Sequence, residues 1–542
     1  MPELDPADPV MQPQLSDAQW ARLVEHATPL EVADGEHVFR AGQRDYPMVL
    51  VEEGAVELVR DALAWMGEEV LATMGPRTFA GELGLLNGQS AFLSARARGD
   101  SRVRLLDRAE LRRIMNEDDE LCDLILHALW ARRENLRRGS AAMTLKFVGA
   151  DSSGEFLALR RFAERLDLVH TAFTVSPADE NASFRYRAQD LPIAFIQGEP
   201  VLHATPGAVA ERLGLAYEAQ GDEAVDLVVV GGGPAGLAAA IYGASEGLST
   251  VLLDAVAPGG QAAATSRIEN FLGFPFGVSG GELIGQATLQ ALKFGVRVYA
   301  PCEAVALDEA DGLLDVTLVD GRIIRARAAI VTSGAAYRRL QLDRWTDFEQ
   351  AGIFYAATPL ELRQVAESPV VVVGGANSAG QAALYLASNG CPVHLVVRGA
   401  ELGAGMSSYL VDRLGEDPRI QVHLGSNVVG LGGDVALRSV SIDSAGEIAA
   451  RGLFCFIGAE PATRWLRSVD TDADGFIRTG VDVTALSLAR WQELGRDPFP
   501  FETSMPRVFA AGDVRRGSMK RVAAAVGEGS SAVASVHRVL AG

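Results

Sequence analysis

Apolar runs, glycine turns and Ala-rich segments alternate through the second half of the chain. The run 227–230 carries no charge after Asp226, which predicts a strand buried on both faces of a parallel sheet. Three closely spaced glycines and an Ala- and Leu-rich helix follow, and a second apolar strand, 250–253, ends at an acidic residue. The stretch 227–245 is uncharged, but consecutive glycines and a proline interrupt it, so a strand–helix unit is favoured over a membrane helix.

This strand–helix unit has the features of a dinucleotide-binding turn. In the spacing Gly-x-Gly-x-x-Gly, the first glycine allows the tight turn, the second lets backbone approach a pyrophosphate, and the third lets the helix pack on the strand. The helix N-terminus faces the phosphates, and the acid after the second strand accepts hydrogen bonds from a ribose. The alternative is a glycine-rich turn in an ordinary α/β core. The candidate residues are Gly231, Gly233, Pro234, Ala235, Gly236 and Asp254.

The first part of the chain has a different pattern, with short strands at regular spacing between two helices. We expect a first helix over 15–26 with Ser16 as N-cap, and a long helix over 121–138. The strands between them predict a β-roll or barrel. They are expected at 37–40, 47–52, 55–60, 69–73 and 102–107.

Between these strands, Gly81 to Leu86 reads Gly-Glu-Leu-Gly-Leu-Leu, which resembles the phosphate cassette of cyclic-nucleotide-binding domains of the catabolite-activator type. The resemblance implies that Glu82 holds a ribose and that a later Arg pairs with the phosphate. That Arg position falls on Ala91, and the accompanying hydroxyl falls near Ser94. A site without its bidentate Arg lacks its strongest contact, so a structural or dimerising role is expected over nucleotide binding. No helix-turn-helix follows, which excludes a transcription factor of this type.

A Gly-Ser-Ala-Ala linker at 139–142 is predicted to lead into a small unit with the order βαβ…ββα. This order resembles a shortened thioredoxin or glutaredoxin fold, with Pro192 where that family keeps a cis-proline. The family's dithiol would lie at 151–154, where there is no Cys. The unit is therefore expected to dock or space other domains and to perform no thiol–disulfide exchange.

Composition narrows the possible functions. The chain has 542 residues, a length that predicts several domains. Its formal net charge is −21, which argues against nucleic-acid binding because the phosphates would be repelled. No signal peptide is visible, so a soluble cytoplasmic protein without a membrane partner is expected. Neither a CxxC motif nor metal-ligand spacing is present, so no metal is expected and the thiols are interpreted as small buried hydrophobes. The cysteines are Cys122, Cys302, Cys391 and Cys455.

From Val225 onward the chain resembles the low-molecular-weight thioredoxin reductase family. Besides the glycine turn, the matching segments are Pro-Gly-Gly-Gln at 258–261, Ile-Glu-Asn at 268–270, Val-Thr-Ser-Gly-Ala at 331–335 and Val-Phe-Ala-Ala-Gly-Asp at 508–513. The resemblance implies two Rossmann-like three-layer α/β domains, for FAD and NAD(P)H, and a homodimer. The expected domains are 1–140 (cyclic-nucleotide-binding-like), 143–218 (thioredoxin-like), 225–341 with 453–542 (FAD) and 342–452 (NAD(P)H).

The same resemblance implies further flavin contacts beyond the first turn. In the family, the segments that correspond to 258–261 and 268–270 surround the flavin. The segment that corresponds to 331–335 completes the first part of the FAD domain. The acid at the end of 508–513 accepts a hydrogen bond from the ribityl chain. A helix start just after 520 faces the flavin, where its dipole and a basic residue stabilise negative charge. The family has Arg-Gln-Ala at this helix start, where this chain has Lys-Arg-Val. The residues implied are Gly260, Gln261, Asn270, Ser333, Gly334, Gly512, Asp513, Lys520, Arg521 and Val522.

A second nucleotide-binding turn follows the apolar strand 370–373 and reads Gly-x-Ala-x-x-Ala. The next strand, 393–397, ends in an Arg and not an acid, which favours the 2′-phosphate of NADPH over NADH. The family has His-Arg-Arg there, of which only the middle residue is kept, and Arg413 is a possible supplement. Loss of nicotinamide binding stays an alternative. The candidate residues are Gly374, Ala376, Asn377, Ser378, Ala379 and Arg398.

The main departure from the family is at the dithiol. Thioredoxin reductases have Cys-Ala-Thr-Cys where this chain has Ala356 to Pro359, so both cysteines are replaced. We expect an FAD-dependent NAD(P)H oxidoreductase in which the flavin carries the chemistry and passes electrons to an external acceptor, such as a quinone, oxygen or a small redox protein. The alternatives are a ferredoxin–NADP reductase-like enzyme and a flavin-bearing regulatory protein with little turnover.

Overall fold

The computed structural model describes residues 9–150, 153–175, 188–217, 224–265, 268, 271–349, 351–357, 359–402, 406–483 and 491–541. Its elements follow the domain order expected from the sequence. Those of the first unit are α1 (Asp17–Val24), β1 (Thr28–Val32), β2 (His37–Phe39), β3 (Met48–Arg60), β4 (Glu69–Met74), β5 (Phe79–Ala80), α2 (Gly84–Asn87), β6 (Ser94–Leu106), α3 (Arg108–Glu117) and α4 (Asp119–Arg138).

The strands of the first unit form an antiparallel β-roll in the order β1-β6-β3-β4, with β2 on β6 and β5 on β3. Two of the predicted strands, 47–52 and 55–60, are one strand in the structure, because β3 stays paired with β6 across register shifts near Glu53. The predicted strand 102–107 is the second half of β6. Ser16 caps α1 as expected, and the capping box is completed by Gln19.

The second unit contains β7 (Leu145–Gly149), α5 (Gly154–Arg165), β8 (Thr171–Thr174), β9 (Ile193–Ile196), β10 (Glu199–Val201) and α6 (Pro206–Leu213). Its sheet has the order β10-β9-β7-β8, in which only β7 and β8 are parallel. The peptide bond Leu191–Pro192 is cis. The predicted βαβ…ββα order is confirmed, while kinship with thioredoxins stays a prediction.

The segment predicted as a linker is packed. Residues Ser140–Thr144 form a short 3-10 helix in which Ala141 and Ala142 are buried. They belong to an apolar cluster with Phe92 and Leu93 of the β-roll and Val169 of the second unit. The predicted linker is therefore a packed connection, because two alanines are small enough to fit between the neighbouring units.

The elements of the second half, up to the start of its inner domain, are β11 (Val225–Val230), α7 (Pro234–Ser245), β12 (Thr250–Leu253), α8 (Gly280–Lys293), β13 (Arg297–Tyr299), β14 (Ala304–Ala310), β15 (Leu313–Leu318), β16 (Ile323–Val331), β17 (Ala335–Tyr337), α9 (Trp345–Phe348) and β18 (Ile353–Phe354). Those that follow are α10 (Pro359–Val365), β19 (Val370–Val373), α11 (Asn377–Ser388), β20 (Val393–Val397), α12 (Ser408–Glu416), β21 (Ile420–Leu424), β22 (Val428–Gly433), β23 (Leu437–Ile442), β24 (Gly446–Ala449), β25 (Gly452–Cys455), β26 (Ala459–Pro461), β27 (Val508–Ala510) and α13 (Val522–Ala541).

Two sheets organise this half. The first has the order β13-β12-β11-β16-β15-β14, with β27 parallel to β16. Strand β11, which is apolar over 227–230, thus lies between two parallel neighbours as its sequence predicts. The second, β18-β25-β19-β20-β21, is parallel and carries the β22-β23-β24 meander beside it. Strand β25 spans the expected domain boundary at 452 and pairs with β19, which moves the proposed boundary past Cys455.

The β-roll packs directly on the second half of the chain. Buried side chains of the roll and of the β11 sheet belong to one connected apolar cluster. At its edge, Lys293 Nζ on α8 lies 2.9 Å from Asp123 Oδ1 on α4. A backbone hydrogen bond joins the small second unit to the roll, in which Ser90 N donates to Leu213 O at 2.9 Å. The units thus form a packed assembly.

All four cysteines are buried and free, as the sequence interpretation expects. Within the described helices, none combines the length and the apolar character needed to cross a bilayer.

A histidine pair in the second sheet generates a prediction about pH. Nδ1 of His394 on β20 lies 3.1 Å from Nε2 of His423 on β21. Burial lowers the pKa of both rings below the ordinary 6.5, and the pKa of His394 is lowered further by the charge of its neighbour. Below about pH 6.5 the unfolded chain therefore binds protons first, and the free energy of unfolding falls by up to ~1.4 kcal/mol per pH unit and histidine.

We expect His423→Gln to reduce the loss of stability between pH 7.5 and 5.5, measured by urea denaturation of the full chain. His127→Gln, at an exposed position on α4, is the control and should keep the full acid sensitivity. Equal acid sensitivity in both variants would contradict the assignment.

Candidate functional site: two glycine turns and the start of the last helix

The first glycine turn joins β11 to α7 and is closed by the chain itself. Gly231 has φ +111°, and a Cβ at this position would overlap the carbonyl of Thr332. A Cβ at Gly236 would overlap the carbonyl of Gly231, so the helix lies directly on the turn. In contrast, a Cβ at Gly233 would meet nothing within 4 Å. The space in front of Gly233, at the start of α7, is therefore open to a ligand.

Pro234 and Ala235 form the first turn of α7, with Gly233 as its N-cap. No side chain caps this end, so the first backbone N–H groups of the helix face the open space. A phosphate placed there would meet both the helix dipole and these donors.

Asp254 is held by backbone N–H groups beneath this turn. Its Oδ2 accepts from Gly232 at 2.8 Å, and its Oδ1 accepts from Val256 and Ala257, both at 2.9 Å. Burial raises the pKa of Asp254, and the three hydrogen bonds oppose that shift. The carboxylate thus positions the loops that surround the turn, which sequence reasoning did not foresee. Its role toward a ribose stays a prediction.

The segment 258–261 crosses in front of the turn. Gly259 N donates to Gly232 O at 2.6 Å, and a Cβ at Gly260 would lie 3.3 Å from Gly233 Cα. Gln261 Nε2 donates to Ala335 O at 3.0 Å, so its amide joins this segment to β17. Asn270, the other side chain expected here, lies outside the described residues.

The end of β16 continues into the same region. Ser333 Oγ donates to Ala462 O at 2.8 Å, and Gly334, with φ +68°, accepts from Ala462 N at 3.0 Å. Ser333 therefore ties the crossover strand to the segment after β26. Thr332 supports the glycine turn, because its Oγ1 donates to Gly231 O at 2.8 Å.

The C-terminal segment 508–513 brings α13 against α7. A Cβ at Gly529 would overlap the carbonyl of Ala235, and a Cβ at Gly512 would lie 2.9 Å from Ala235 Cβ. Glu528, a residue that sequence reasoning missed, accepts from Gly512 N at 2.8 Å and pairs with Arg515 at 2.7 Å. This network holds the segment 512–515 over the start of α7.

Asp513 differs from Asp254 in having no hydrogen-bond donor in the described part of the chain. Its side chain is half-buried, and burial raises its pKa, as does Glu528, while Lys520 lowers it. A partly buried carboxylate without a donor fits a ligand that brings a hydroxyl group. Helix α13 begins shortly after it at Val522, and Lys520 and Arg521 lie exposed before the helix.

The second glycine turn joins β19 to α11. Gly374 has φ +143°, and a Cβ there would overlap the carbonyl of Phe456. Ala376 is the N-cap of α11 with extended backbone, so its methyl causes no strain, and it is exposed. Asn377 Oδ1 accepts from both N and Oγ of Ser407 at 2.8 Å, which fixes the loop before α12.

The remaining residues of this turn divide by exposure. Ser378 is exposed beside Ala376, while Ala379 is fully buried against the sheet. Arg398 is exposed just after β20, on the same sheet edge as the turn. The carboxyl ends of the parallel strands β19 and β20 meet at that edge, so the turn and Arg398 lie side by side there.

Two stacked tyrosines lie beside the expected dithiol position, and sequence reasoning missed them. The rings of Tyr337 and Tyr355 are 4.8 Å apart and nearly parallel. Tyr355 Oη donates to Glu349 Oε1 at 2.7 Å and accepts from Trp345 Nε1 at 3.2 Å. Burial raises the pKa of Tyr337 to about 12, so its hydroxyl stays protonated. Ala356, immediately after this stack, and Pro359, the first residue of α10, bring no reactive atom.

The small second unit reaches the same region through α5. Arg161 Nη2 lies 3.7 Å from Glu361 Oε1 on α10, and Gly154 approaches the carbonyl of Glu349. Helix α5 therefore contacts the segment where the sequence analysis expects the reductase dithiol. Neither partner of this contact has a cysteine.

The cassette of the β-roll is occupied by its own chain. Glu82 Oε1 lies 2.6 Å from the buried Arg133 guanidinium, and Glu82 Oε2 accepts from Gly84 N at 2.7 Å. Ala91 is buried, and its carbonyl accepts from Gln197 of the second unit at 3.1 Å. Ser94 Oγ donates to Asp61 at 2.7 Å. The cassette is thus a contact surface between two units.

Comparison with known proteins agrees with this arrangement. The sequence profile of the family described as pyridine nucleotide-disulphide oxidoreductase matches residues 225–529, and that of the cyclic nucleotide-binding domain matches residues 29–118. The NADPH-dependent thioredoxin reductase 3 of Arabidopsis thaliana is 33% identical over 334 residues, which is 58% of this chain and 58% of that relative. The thioredoxin reductase of Streptomyces clavuligerus is 31% identical over 323 residues, 58% of this chain and 94% of the relative.

Solved structures give the same result. The thioredoxin reductase of Lactococcus lactis, in its FR conformation, superposes with a TM-score of 0.50 at 25% identity and covers 58% of this chain and 99% of its own. That of T. acidophilum also has a TM-score of 0.50 at 25% identity and covers 59% and 100%. The chain spans less than two thirds of the Arabidopsis relative and nearly all of the others.

A matched pair of glycine variants tests the first turn. Gly236→Ala places a methyl on the Gly231 carbonyl, so we expect a large loss of folded protein and of bound flavin. Gly233→Ala adds the same methyl in open space at φ −71°, so the fold should be kept while FAD binds ~10-fold more weakly. The measurements are the thermal midpoint without flavin and the flavin-to-protein ratio. Wild-type flavin content in Gly236→Ala would refute the assigned close contact.

Proposed function

Since the chain belongs to the pyridine nucleotide-disulphide oxidoreductase family, we propose that it is an FAD-dependent NADPH oxidoreductase that delivers electrons to an external acceptor without a protein dithiol. The observation that carries the proposal is the open space bounded by Gly233, the uncapped start of α7 and the unpaired carboxylate of Asp513. These groups fit a pyrophosphate and a polyhydroxylated chain, which are the polar parts of FAD.

When bound, FAD would accept a hydride from NADPH and release the electrons to a second substrate. The chain's own residues bind and orient. The start of α7 and Gly233 would hold the pyrophosphate, Asp513 would accept a hydrogen bond from the ribityl chain, and the N-terminus of α13 would face the flavin ring. Lys520 and Arg521, exposed before that helix, would add positive charge where reduction places negative charge.

NADPH is proposed as the donor because an exposed guanidinium lies at the end of β20. The residue directly after this strand is Arg398, where an NADH site would have an acid to receive a ribose hydroxyl. A 2′-phosphate would pair with Arg398 by charge-assisted hydrogen bonds. Ala376 narrows the turn by one methyl where Gly is more usual, and this methyl is expected to weaken binding of the pyrophosphate ~10-fold.

The proposal that no dithiol takes part rests on the replaced cysteine positions and on the state of the remaining thiols. Ala356 and Pro359 occupy the expected cysteine positions, and the four cysteines are buried and unpaired. Burial raises the pKa of every thiol, to about 12 for Cys302 and Cys455. Because the thiolate is the reactive form, none of them is suited to relay electrons at neutral pH. The acceptor is therefore a diffusible molecule such as a quinone or oxygen, or a small redox protein.

The accompanying proposals follow the domain plan. Residues 1–140, 143–218, 225–341 with 456–542, and 342–455 are assigned to the β-roll, the thioredoxin-like unit, the FAD domain and the NADPH domain. The contact between Arg161 and Glu361 supports a docking role for the thioredoxin-like unit. A homodimer is proposed by analogy with the family.

Anaerobic mixing with NADPH, and separately with NADH, tests the central proposal by following the bleaching of bound flavin. We expect NADPH to bleach it within the ordinary enzymatic range of rates. Arg398→Gln should lower the second-order rate constant for NADPH ~10-fold or more and leave that for NADH unchanged, since only NADPH carries the 2′-phosphate. Arg464→Gln, at a site 92% exposed in the FAD domain, is the control.

Failure of both nucleotides to bleach a flavin that dithionite reduces would overturn the oxidoreductase proposal. If Ala376→Gly then restores bleaching, the methyl is the cause. An equal loss for NADPH and NADH in Arg398→Gln would remove the assignment of the 2′-phosphate contact.

The dithiol-free step is tested by alkylation of the native protein before and after reduction with NADPH. We expect iodoacetamide to label none of the four cysteines and to leave the rate of acceptor reduction unchanged, because the buried thiols are protonated. Protein unfolded in urea provides the positive control, with all four labelled. Rapid labelling of two cysteines only after NADPH treatment would show a dithiol relay.

A further inference from the structure

The β-roll encloses a cavity between its strands and α4, and the residues that line it belong to the first unit of the chain. The space inside it that the centre of a water-sized molecule can occupy is about 70 Å³. The walls are mostly apolar and are formed by Phe39, Leu58, Leu71, Met74, Phe92 and Leu136. Such a cavity favours the body of an apolar molecule.

One polar group on this wall is left without a partner. Tyr46 lines the cavity and is only 2% exposed, and its ring contacts that of Phe39 at 4.9 Å. Its hydroxyl is buried and has no hydrogen-bond partner in the described chain. Buried hydroxyl groups are nearly always paired, so this O–H is available to a ligand that brings an acceptor.

The second polar group is a buried cation. Arg132 on α4 lines the cavity and donates to three carbonyls, those of Met11 at 2.8 Å, Gly81 at 3.0 Å and Phe79 at 2.9 Å. No carboxylate of the described chain pairs with it. Burial lowers the pKa of Arg132 to about 10, which still leaves it charged at neutral pH. The positive charge on this wall is therefore unbalanced, and a buried charge is costly until an anion joins it.

The same cavity is poorly suited to a cyclic nucleotide. Both oxygens of Glu82, which the cassette resemblance assigns to a ribose, are engaged by Arg133 and Gly84. Ala91 offers no charge to a cyclic phosphate, and its carbonyl already accepts a hydrogen bond from Gln197 of the neighbouring unit. A hydroxyl-rich ribose would also lie against apolar side chains. Three further polar side chains line the cavity: Glu82, which is paired with Arg133, and the neutral Gln12 and Asn135. With the charge of Glu82 balanced in this way, the apolar walls, the Tyr46 hydroxyl and the Arg132 charge fit a ligand with an apolar body and one anionic end.

We propose that this cavity binds a small carboxylate with an apolar body, whose oxygens accept a hydrogen bond from Tyr46 and face the charge of Arg132. The site is separate from the flavin and nicotinamide sites, so the proposal does not depend on the function proposed for them.

Isothermal titration of the full-length protein with 2-naphthoate and with decanoate tests the proposal. We expect saturable one-to-one binding of at least one carboxylate, and affinity for neutral 2-naphthalenemethanol lower than for 2-naphthoate by ~10-fold or more, since the alcohol brings no charge to Arg132. Cyclic AMP should produce no saturable heat. Absence of binding by both carboxylates, equal affinity for the alcohol, or tighter binding of cyclic AMP would each overturn the proposal.

Two variants locate the site. Tyr46→Phe removes only the hydroxyl and should weaken 2-naphthoate ~5-fold, and Tyr409→Phe, at an exposed position on α12, should leave the affinity unchanged. Ala72→Phe fills the cavity and should abolish binding. If Ala72→Phe does not fold, Tyr46→Phe still decides the matter, because it leaves the packing intact. Unchanged affinity in Tyr46→Phe would place the ligand elsewhere and contradict the proposal.

Discussion

The close approach of two helices at the first glycine turn is the contact on which the flavin half depends. Gly529 of α13 lies against the carbonyl of Ala235 on α7, and Gly236 lies against the carbonyl of Gly231. Neither position has space for a Cβ, so the backbones themselves form the contact. This contact brings the C-terminal segment that carries Asp513 next to the open space at Gly233, although 280 positions separate the two residues in the sequence.

The carboxylates around this site differ in how many hydrogen-bond donors the protein gives them. Those with several donors support the structure, and one without a donor can receive a ligand. Asp254 accepts three backbone N–H groups and holds the loops of the turn, and Glu528 pairs with Arg515 and Gly512 N. Asp513 receives no donor from the described chain, and burial raises its pKa. The same criterion, applied to the β-roll, separates Glu82, which is fully engaged, from the Tyr46 hydroxyl, which is unpaired.

Contacts between the units fall at positions to which the family resemblances assign recognition or redox roles. The carbonyl of Ala91 in the cassette accepts from Gln197, and Arg161 of α5 pairs with Glu361 near the expected dithiol segment. Both contacts join two units, and none of the four residues that form them is a cysteine. This agrees with the proposal that the second half of the chain carries the redox chemistry while the first two units bind or dock.

The sequence by itself determined the local units, because strand burial, glycine spacing and caps depend on neighbouring residues. The turn at Gly231 to Gly236, the capping box at Ser16 and the βαβ…ββα order of the second unit all follow from such patterns. Only the tertiary structure decided what depends on distant residues meeting. The stack of Tyr337 on Tyr355, the support of Gly512 by Glu528 and the buried charge of Arg132 leave no local signal, since each needs a partner or a cavity that another segment provides.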